Sequence, residues 1–338
     1  MPLRIAVAGL KHGHVKTVLQ LALQDPRVSV VALADDDPAQ RGAYEQAFAR
    51  PVRYASHREL LESVEFEALV VCEAFAGRGV VVGDALAAGK HVFCDKPLCT
   101  RIAELERIEA LAAAQRLEVA VDFSLRQHWF QAAAPLQQGE IGTIVSCTFA
   151  GPHGLGYEWR PRWYYAPGQH GGILNDLSGH GLDFVHWITG RRFARVLAAT
   201  CACVGLPQEP RFETFGEAYY QLDGGATVFG HVDYLVPAGH PTAWRCVIVG
   251  TAGDAVVDET TGLRLRPAGA PERLIPAAAL RSGTQHPFQD FVGLLTEGTP
   301  GLRTTAETLH CSLAALVAQQ VAERQETAVP IPVMPGQG

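Results

Sequence analysis

The sequence contains no hydrophobic run long enough to cross a membrane. No stretch approaches the roughly 18 uncharged apolar residues that a bilayer requires, and the short apolar run Ile5 to Leu10 is followed at once by Lys11. We therefore expect neither a membrane span nor a signal peptide. Clusters of Lys and Arg are also missing, and the net charge is −7. Nucleic acid is not an expected partner, because neutralising a phosphate backbone requires clustered cations.

Motifs that pair cysteines or bind metal are equally scarce. The chain includes eight cysteines but no CxxC, and several of these cysteines lie in apolar runs. Such a distribution predicts reduced, buried thiols in a cytoplasmic protein and argues against a disulfide framework. The sequence has neither an HExxH motif nor a flanking set of Cys and His residues, so we predict no metal site.

The composition predicts two globular domains, since 338 residues are enough for two at roughly 150 residues each. Hydrophobic residues make up 48% of the chain and charged residues 19%, which favours large buried cores. From residue 3 to about 122, short apolar runs alternate with segments of helical period, the pattern of βαβ units in a doubly wound parallel sheet. The predicted strands are Leu3–Ala8, Val28–Ala34, Glu67–Cys72, His91–Cys94 and Leu117–Val121, and the predicted helices are Val15–Gln24, Pro38–Phe48, Gly77–Ala88 and Ile102–Gln115.

The rest of the chain predicts an α+β domain with a large, mostly antiparallel open sheet. Longer β-like stretches follow Gly142, namely Ile144–Phe149, Arg195–Val204, Phe215–Leu222, Ala226–Leu235 and Trp244–Val249. Three helices are expected, near Leu174–Thr189, near Pro287–Glu297 and after the capping box that starts at Thr304. We place the domains at 1–122 and 123–338, with the last helix able to pack back on the first domain, and we expect the tail from Pro330 to be frayed.

The first strand runs into a glycine-containing turn, Gly9-Leu10-Lys11-His12-Gly13-His14. A Rossmann nucleotide site needs glycine there, because the turn is tight and a pyrophosphate must approach backbone N–H groups at a helix N-terminus. The GxGxxG spacing is not met, since Lys11 replaces the middle glycine and Gly13 comes one residue early. A strand–turn–helix corner without a ligand is the alternative. Lys11 is a candidate cation for the pyrophosphate.

The second strand ends in three carboxylates, Asp35, Asp36 and Asp37. Asp35 lies 22 residues beyond Gly13, where a dinucleotide site places an acid on the adenosine ribose. Three carboxylates would repel a 2′-phosphate, so the segment predicts NAD rather than NADP. The alternative is that these residues only cap the helix that begins at Pro38.

Two further segments suggest chemistry between the domains. Lys96 follows the strand His91–Cys94, and Pro97 holds it extended at the carboxyl edge of the sheet. Asp176, His180 and Asp183 are spaced by four and three residues, so they share one helix face, and a carboxylate one turn from an imidazole can orient a general base. Exposed ion pairs remain an alternative reading, as does metal ligation by these three with His170 or His186.

The chain resembles the Gfo/Idh/MocA oxidoreductases, the family of glucose-fructose oxidoreductase and inositol dehydrogenase. The matching motifs cover almost the whole chain in the correct order, and they are the strand–glycine turn at Gly9, Ala32–Asp35, Ala88–Val92 with Asp95-Lys96-Pro97-Leu98, Gly139–Gly142, Gly171-Gly172-x-Leu174-x-Asp176-x-x-x-His180-x-x-Asp183, and Pro287-Phe288-x-x-Phe291-Val292. The sequence departs from the family at Cys72-Glu73-Ala74, where Thr-Pro is usual, and at Arg78, where histidine is common.

The resemblance implies a Rossmann domain over 1–122, NAD as cofactor, and hydride transfer to or from a sugar, polyol or related small molecule. It makes Lys96 the active-site lysine, Asp176 the substrate-binding acid and His180 the general acid/base. It also implies a homodimer or homotetramer built through the C-terminal sheet. A cofactor-binding regulator without turnover and an NAD-assisted glycoside hydrolase are the alternatives.

The remaining candidates complete the expected site. For the cofactor these are Gly9, Lys11, His12, Gly13, Asp35, Glu73 and Lys96. For the substrate we name Asp183 beside Asp176, Arg126 at the domain junction, and Trp163. Trp163 belongs to an aromatic and arginine-rich segment, Tyr157–Tyr165, which suits stacking on a sugar face. Packing of this segment over the second domain, or in a subunit contact, is the alternative.

Overall fold

The computed structural model describes residues 1–49 and 52–334. Its first unit is a parallel five-stranded sheet with the strand order β2-β1-β3-β4-β5. The elements are β1 (Leu3–Ala8), α1 (Val15–Gln24), β2 (Val28–Ala34), α2 (Pro38–Phe48), α3 (His57–Ser63), β3 (Ala68–Val71), α4 (Phe75–Ala87), β4 (His91–Cys94), α5 (Ile102–Gln115) and β5 (Val119–Val121). The predicted doubly wound sheet is confirmed, because helices cover both of its faces. Its strands are therefore buried on both sides, which is why they consist of continuous apolar runs. The short helix α3 was not predicted.

The second unit is a nine-stranded sheet with the order β13-β12-β11-β10-β6-β9-β8-β7-β14. Its elements are α6 (Leu125–His128), α7 (Phe130–Gln137), β6 (Ile144–Gly154), a 3₁₀ helix (Arg162–Tyr165), α8 (Ile173–Thr189), β7 (Phe193–Ala202), β8 (Phe215–Leu222), β9 (Thr227–Val236), β10 (Arg245–Gly250), β11 (Gly253–Asp258), β12 (Gly262–Pro267), β13 (Arg273–Ile275), α9 (Ala277–Leu280), α10 (Pro287–Glu297), α11 (Thr305–Arg324) and β14 (Val329–Pro330). Strands β6 and β9 are parallel, and the other neighbouring pairs are antiparallel.

Two helices of the second half close on the first sheet. Phe288 and Phe291 of α10 pack against Phe93 of β4, with ring centroids 5.4 and 5.8 Å apart. The first turn of α11 reaches β5, where the hydroxyl of Thr305 accepts a hydrogen bond of 3.0 Å from the N–H of Val119. The core of the first sheet therefore contains side chains from far beyond residue 122.

The tail differs from the expectation in part. Ile331 and Met334 are buried in the core, whereas Pro330, Pro332 and Val333 are exposed, so two side chains anchor the segment that was expected to be frayed. Residues 335–338 lie outside the described ranges. All eight cysteines are free, as predicted, but only six are buried, because Cys203 is exposed and Cys201 is half-buried. Within residues 1–49 and 52–334, no helix combines the length and the apolar character needed to cross a membrane.

Phe288→Ala tests how strongly α10 is tied to the first sheet. Phe288 is fully buried, so the truncation leaves a cavity and should lower the free energy of unfolding by about 3–5 kcal/mol. Chemical denaturation followed by circular dichroism measures the change. Leu274→Ala is the control, because Leu274 is 63% exposed and its loss should change stability by less than about 0.5 kcal/mol. Equal effects of the two substitutions would contradict the packing role.

Candidate active site

The glycine turn after β1 is held so closely that its first residue must be glycine. Gly9 has a φ of +80°, and a Cβ atom on it would lie 2.5 Å from the backbone nitrogen of Glu73. Asp35 fixes the rest of the turn, since its Oδ2 accepts from the N–H of Leu10 at 2.6 Å and its Oδ1 from the N–H of Asp37 at 2.8 Å. The buried carboxylate of Asp35 therefore holds the backbone of the turn, and its role at an adenosine ribose stays a prediction.

Asp36 and Asp37 both remain exposed at this edge, and Asp37 caps α2. The side chain of Asp36 is 69% exposed and pairs with Lys11 at 2.8 Å, while Lys11 also reaches Glu73 at 2.6 Å. The ammonium of Lys11 is thus shared by two carboxylates and ties the ends of β2 and β3 together. The predicted role of Lys11 as a cation near a pyrophosphate stays a prediction.

Two cavities lie beside the turn. One, of about 540 Å³, is lined by residues that include Leu10, Lys11, His12, Gly13, Gln40, Tyr44 and Trp159. The other, of about 440 Å³, contains His14, Asp122, Ser124, His128, His180 and His286 in its wall. Gly13 has open space where a side chain would stand, and the buried Oδ1 of Asp122 has no protein partner. The open space at Gly13 therefore leaves room for a ligand, and the Oδ1 of Asp122 offers it a polar atom.

Asp95, immediately before Lys96, is a fully buried carboxylate with three cationic or ring partners. Arg78 binds it at 2.7 Å, and the Nδ1 atoms of His12 and His14 lie 2.7 and 2.9 Å from it. Burial alone would raise the pKa of Asp95, but Arg78 and the two imidazoles hold it well below its usual range. Arg78 also donates to the carbonyl of Asp95 at 2.9 Å and to that of Lys96, so it fixes the segment that carries the lysine.

Within the described ranges, one group of side chains has ligand atoms close enough together to surround a metal ion, and it consists of His12, His14 and Asp95. Asp95 binds the guanidinium of Arg78 as well as the two imidazoles, and these contacts account for the cluster without a metal ion. The alternative metal set of Asp176, His180 and Asp183 is not assembled, because each of the two carboxylates is bound to a lysine or arginine.

Lys96 and Asp176 form a buried ion pair between the two units, with 2.7 Å between Nζ and Oδ1. Asp176 also accepts from the hydroxyl of Tyr164 at 2.8 Å and from that of Tyr234, and His170 lies 3.4 Å away. Burial would raise the pKa of Asp176, but Lys96 and His170 together hold the pKa well below its usual range. Tyr234 was not predicted from sequence, whereas Tyr164 belongs to the aromatic segment named above and His170 was named only as an alternative metal ligand.

Helix α8 receives its N-terminal caps from distant side chains. The N–H of Ile173 donates to Glu213 at 3.0 Å, and the N–H of Leu174 donates to Gln319 at 3.1 Å. Gly172 has a φ of +89°, and a Cβ on it would collide with Gln319. The two glycines before the helix therefore allow this close approach, which sets the position of Asp176 in the first turn.

His180 lies in the wall of the smaller cavity but does not contact Asp176. Its Nδ1 accepts a hydrogen bond of 3.1 Å from the backbone N–H of Ser124, and its ring packs edge-on against Phe123 and Trp244. Burial, followed by the charge of Lys96, lowers the pKa of His180 well below its usual value. The prediction that Asp176 orients His180 is therefore wrong, since the backbone of Ser124 does so.

Asp183 and Arg126 bind each other instead of facing a cavity. Both are fully buried and pair at 2.9 Å, and Arg303 binds the same carboxylate from the segment before α11. All three residues belong to the second unit, so we assign Asp183 and Arg126 to its internal packing rather than to the expected substrate contact. Trp163 is half-buried against Phe75, with ring centroids 5.2 Å apart, and its buried Nε1 has no protein partner.

Two family models match the chain. Residues 3–123 match an oxidoreductase family with an NAD-binding Rossmann fold, and residues 129–256 match a GFO/IDH/MocA C-terminal domain. An inositol 2-dehydrogenase from Gluconacetobacter diazotrophicus is 34% identical over 265 residues, which cover 75% of this chain and 74% of that enzyme.

Solved structures share the fold. A dehydrogenase from Bordetella pertussis in complex with NADH and UDP-GlcNAcA has a TM-score of 0.83 at 20% identity, covering 98% of this chain and 100% of its own. An oxidoreductase from Agrobacterium radiobacter, in complex with NAD⁺, L-tartaric acid and magnesium, has a TM-score of 0.81 at 19% identity, covering 97% and 98% of the two chains.

Asp183→Asn tests the structural role of the Asp183–Arg126 pair. Burial would raise the pKa of Asp183, but the arginines lower it, so its stabilising effect is complete above the unfolded pKa of about 3.9 and is lost as the pH falls through the lower folded value. The variant should lose about 3–5 kcal/mol at neutral pH, because Arg303 loses its buried carboxylate partner and Arg126 keeps only Glu307, at 3.1 Å.

Denaturant titrations at neutral and acidic pH measure this loss. The difference in the free energy of unfolding between variant and parent should become smaller at acidic pH. Asp254→Asn, which removes an exposed pair with Arg266, is the matched control and should cost less than about 1 kcal/mol. If the Asp183→Asn protein were as stable as the parent and had a raised KM, Asp183 would instead be a substrate-binding residue.

Proposed function

This chain belongs to the Gfo/Idh/MocA oxidoreductase family, and we propose that it transfers a hydride between NAD and a hydroxyl or keto carbon of a sugar, polyol or related small molecule. The buried pair of Lys96 and Asp176 carries this proposal. It joins the carboxyl edge of the first sheet to α8 of the second unit, and ligands of doubly wound sheets bind at that edge. A pure binding protein gains little from two charges buried there.

Several residues of the chain suit the cofactor. The Gly9–Gly13 turn would approach the pyrophosphate, and Asp36 would accept from the adenosine ribose. Glu73 and Lys96, after β3 and β4, continue the same edge toward His14. Bound NAD supplies the hydride acceptor or donor. The complexes of the Bordetella and Agrobacterium proteins with NADH and NAD⁺ support this assignment.

Lys96 and Asp176 have separate tasks in the proposed reaction. Lys96 holds the substrate oxygen and stabilises negative charge that develops on it, which is electrostatic catalysis by a preorganised cation. The oxygens of Asp176 are already occupied by Lys96, Tyr164 and Tyr234. Asp176 is therefore a positioning residue that orients the ammonium, and not the acid that grips the substrate.

His180 acts as a hydrogen-bond donor in this scheme. Because its Nδ1 accepts from Ser124, the neutral ring carries its proton on Nε2. That N–H can polarise a carbonyl oxygen in the reduction direction. The inositol 2-dehydrogenase relative and a dTDP-3,4-didehydro-2,6-dideoxy-alpha-D-glucose 3-reductase from Streptomyces violaceoruber, 25% identical over 288 residues, support a polyol or sugar as substrate.

The function is tested by incubating the protein with NAD⁺ and a panel of polyols, sugars and keto-sugars. Turnover is measured as NADH absorbance, with and without a chelator. Lys96→Met should lower kcat by about 10²–10³-fold with little change in NADH affinity, because the lysine acts on developing charge. Lys90→Met is the control, since Lys90 binds the carbonyl of Phe66 away from the cavities. NADH binding without turnover of any panel member would favour a regulator, and a product without net redox change would favour glycoside cleavage.

Asp36→Ala should weaken the preference for NAD over NADP. The exposed carboxylate would repel a 2′-phosphate, and its removal frees Lys11 to attract one. We expect the ratio of NADPH to NADH dissociation constants, measured by fluorescence quenching, to fall by about tenfold, which corresponds to about 1.4 kcal/mol. Asp37→Ala is the control, because Asp37 only caps α2 through the N–H of Ala39. An unchanged ratio in Asp36→Ala would remove Asp36 from the ribose site.

A further inference from the structure

The two cavities beside the turn reach different parts of the sheet edge. The larger one is lined by Gln40 and Tyr44 of α2, so it lies on the β2 side, where a dinucleotide places its adenosine. The smaller one combines His14, just before α1, with Asp122 after β5 and His180 on α8. Because the strand order runs from β2 through β1, β3 and β4 to β5, the nicotinamide half of the cofactor would extend toward the smaller cavity.

Asp122 is the acid of the smaller cavity, since no other residue described in its wall is an aspartate or glutamate. The N–H of Asp122 donates to the carbonyl of Cys94 at 3.0 Å, so Asp122 lies beside the end of β4, just before the segment that carries Lys96. Two residues further along the chain, the N–H of Ser124 donates to Nδ1 of His180. Asp122 is therefore held where the edge of the first sheet meets α8.

The carboxylate of Asp122 lacks a fixed counter-charge, although the residue is only 9% exposed. Within residues 1–49 and 52–334 it pairs with no lysine or arginine, and Nε2 of His286 lies 3.8 Å from its Oδ2. Arg281 belongs to the same wall, but it is exposed and does not pair with Asp122. The Oδ1 of Asp122 is buried without a hydrogen-bond partner in the protein. Because an uncompensated buried carboxylate is costly, a ligand that brings positive charge to Asp122 is stabilised there.

Gln127 adds a second acceptor to the same wall. Its amide nitrogen donates to Oδ2 of Asp290 at 3.0 Å, and because a carboxylate only accepts, the amide cannot be turned around. The Oε1 of Gln127 is therefore the atom that is left buried without a protein partner. A ligand group with N–H donors and a positive charge complements both oxygens, whereas Asp122 would repel a phosphate or a carboxylate.

We propose that Asp122 distinguishes the oxidised cofactor from the reduced one through the positive charge of the nicotinamide ring. NAD⁺ carries this charge and NADH does not, whereas their adenosine and pyrophosphate parts are the same. A carboxylate without a counter-charge at this end of the cofactor site therefore strengthens the binding of NAD⁺ relative to that of NADH. The inference rests on the proposed function, in which NAD carries the hydride.

This preference changes the potential of the bound cofactor. The nicotinamide ring gains its positive charge when it gives up a hydride to the substrate carbon, so Asp122 stabilises the form that remains. Binding and reduction are linked, because the ratio of the two dissociation constants sets the potential of the bound couple. A tenfold stronger relative binding of NAD⁺ lowers that potential by about 30 mV. Asp122 thereby makes bound NADH a stronger reductant toward a keto substrate.

The dissociation constants of NAD⁺ and NADH, measured by calorimetry on the full chain, test the proposal without turnover. Asp122→Asn removes the charge and keeps the shape of the side chain. We expect the ratio of the NAD⁺ to the NADH dissociation constant to rise by about tenfold, or about 1.4 kcal/mol. His286→Lys leaves Asp122 in place but sets an ammonium beside it, and the ratio should rise in the same direction. A ratio that stays at the parent value in both variants would overturn the proposal.

Asp36→Asn is the matched control, because Asp36 lies at the adenosine end, which both forms of the cofactor share. It should weaken NAD⁺ and NADH by the same factor and leave their ratio unchanged. An Asp122→Asn protein with the parent ratio but a raised KM for a panel substrate would make Asp122 a substrate contact and overturn the proposal. Failure of every panel substrate would defeat the proposed function, while the two dissociation constants would still decide the role of Asp122.

Discussion

The ion pair of Lys96 and Asp176 is the interaction on which the geometry of this enzyme depends. Removing two ions from water costs several kcal/mol for each, and only close pairing with further hydrogen bonds compensates that cost. Asp176 meets the requirement through Tyr164 and Tyr234. The pair therefore has one favourable geometry, and this geometry fixes the end of β4 against the first turn of α8.

The same solution recurs at two buried carboxylates within the units. Asp95 is bound by Arg78 in the first unit, and Asp183 is bound by Arg126 and Arg303 in the second. A buried charge is costly when its partner moves away, so these contacts hold the segments of each unit in place. The site is consequently held by a polar framework as well as by apolar packing, and its side chains need little reorganisation when a substrate arrives.

The sequence predicted the elements best where local signals agreed with packing. Continuous apolar runs mark β1, β2 and β4 because both sheet faces are covered, and the capping box at Thr304 marks the start of α11. Strands β11 to β13 were missed, because they are short and rich in charged residues and glycine. Helical spacing correctly placed Asp176, His180 and Asp183 on one helix, but spacing does not reveal the partners that distant segments supply. Those partners determine what each side chain does: Arg303 binds Asp183, Tyr234 binds Asp176, and the backbone of Ser124 binds His180.

The return of α10 to the first sheet changes how the molecule can be divided and how it can open. Phe288 and Phe291 complete a core whose strands end some 165 residues earlier, between Val121 and Pro287. A fragment that stops near residue 122 would expose Phe93 to water, so the nucleotide-binding half is not an autonomous module. The backbone also passes between the units more than once, before α6, before α10 and after α10. Any hinge must bend all of these connections together, which favours a cleft that admits ligands by local side-chain and loop movement.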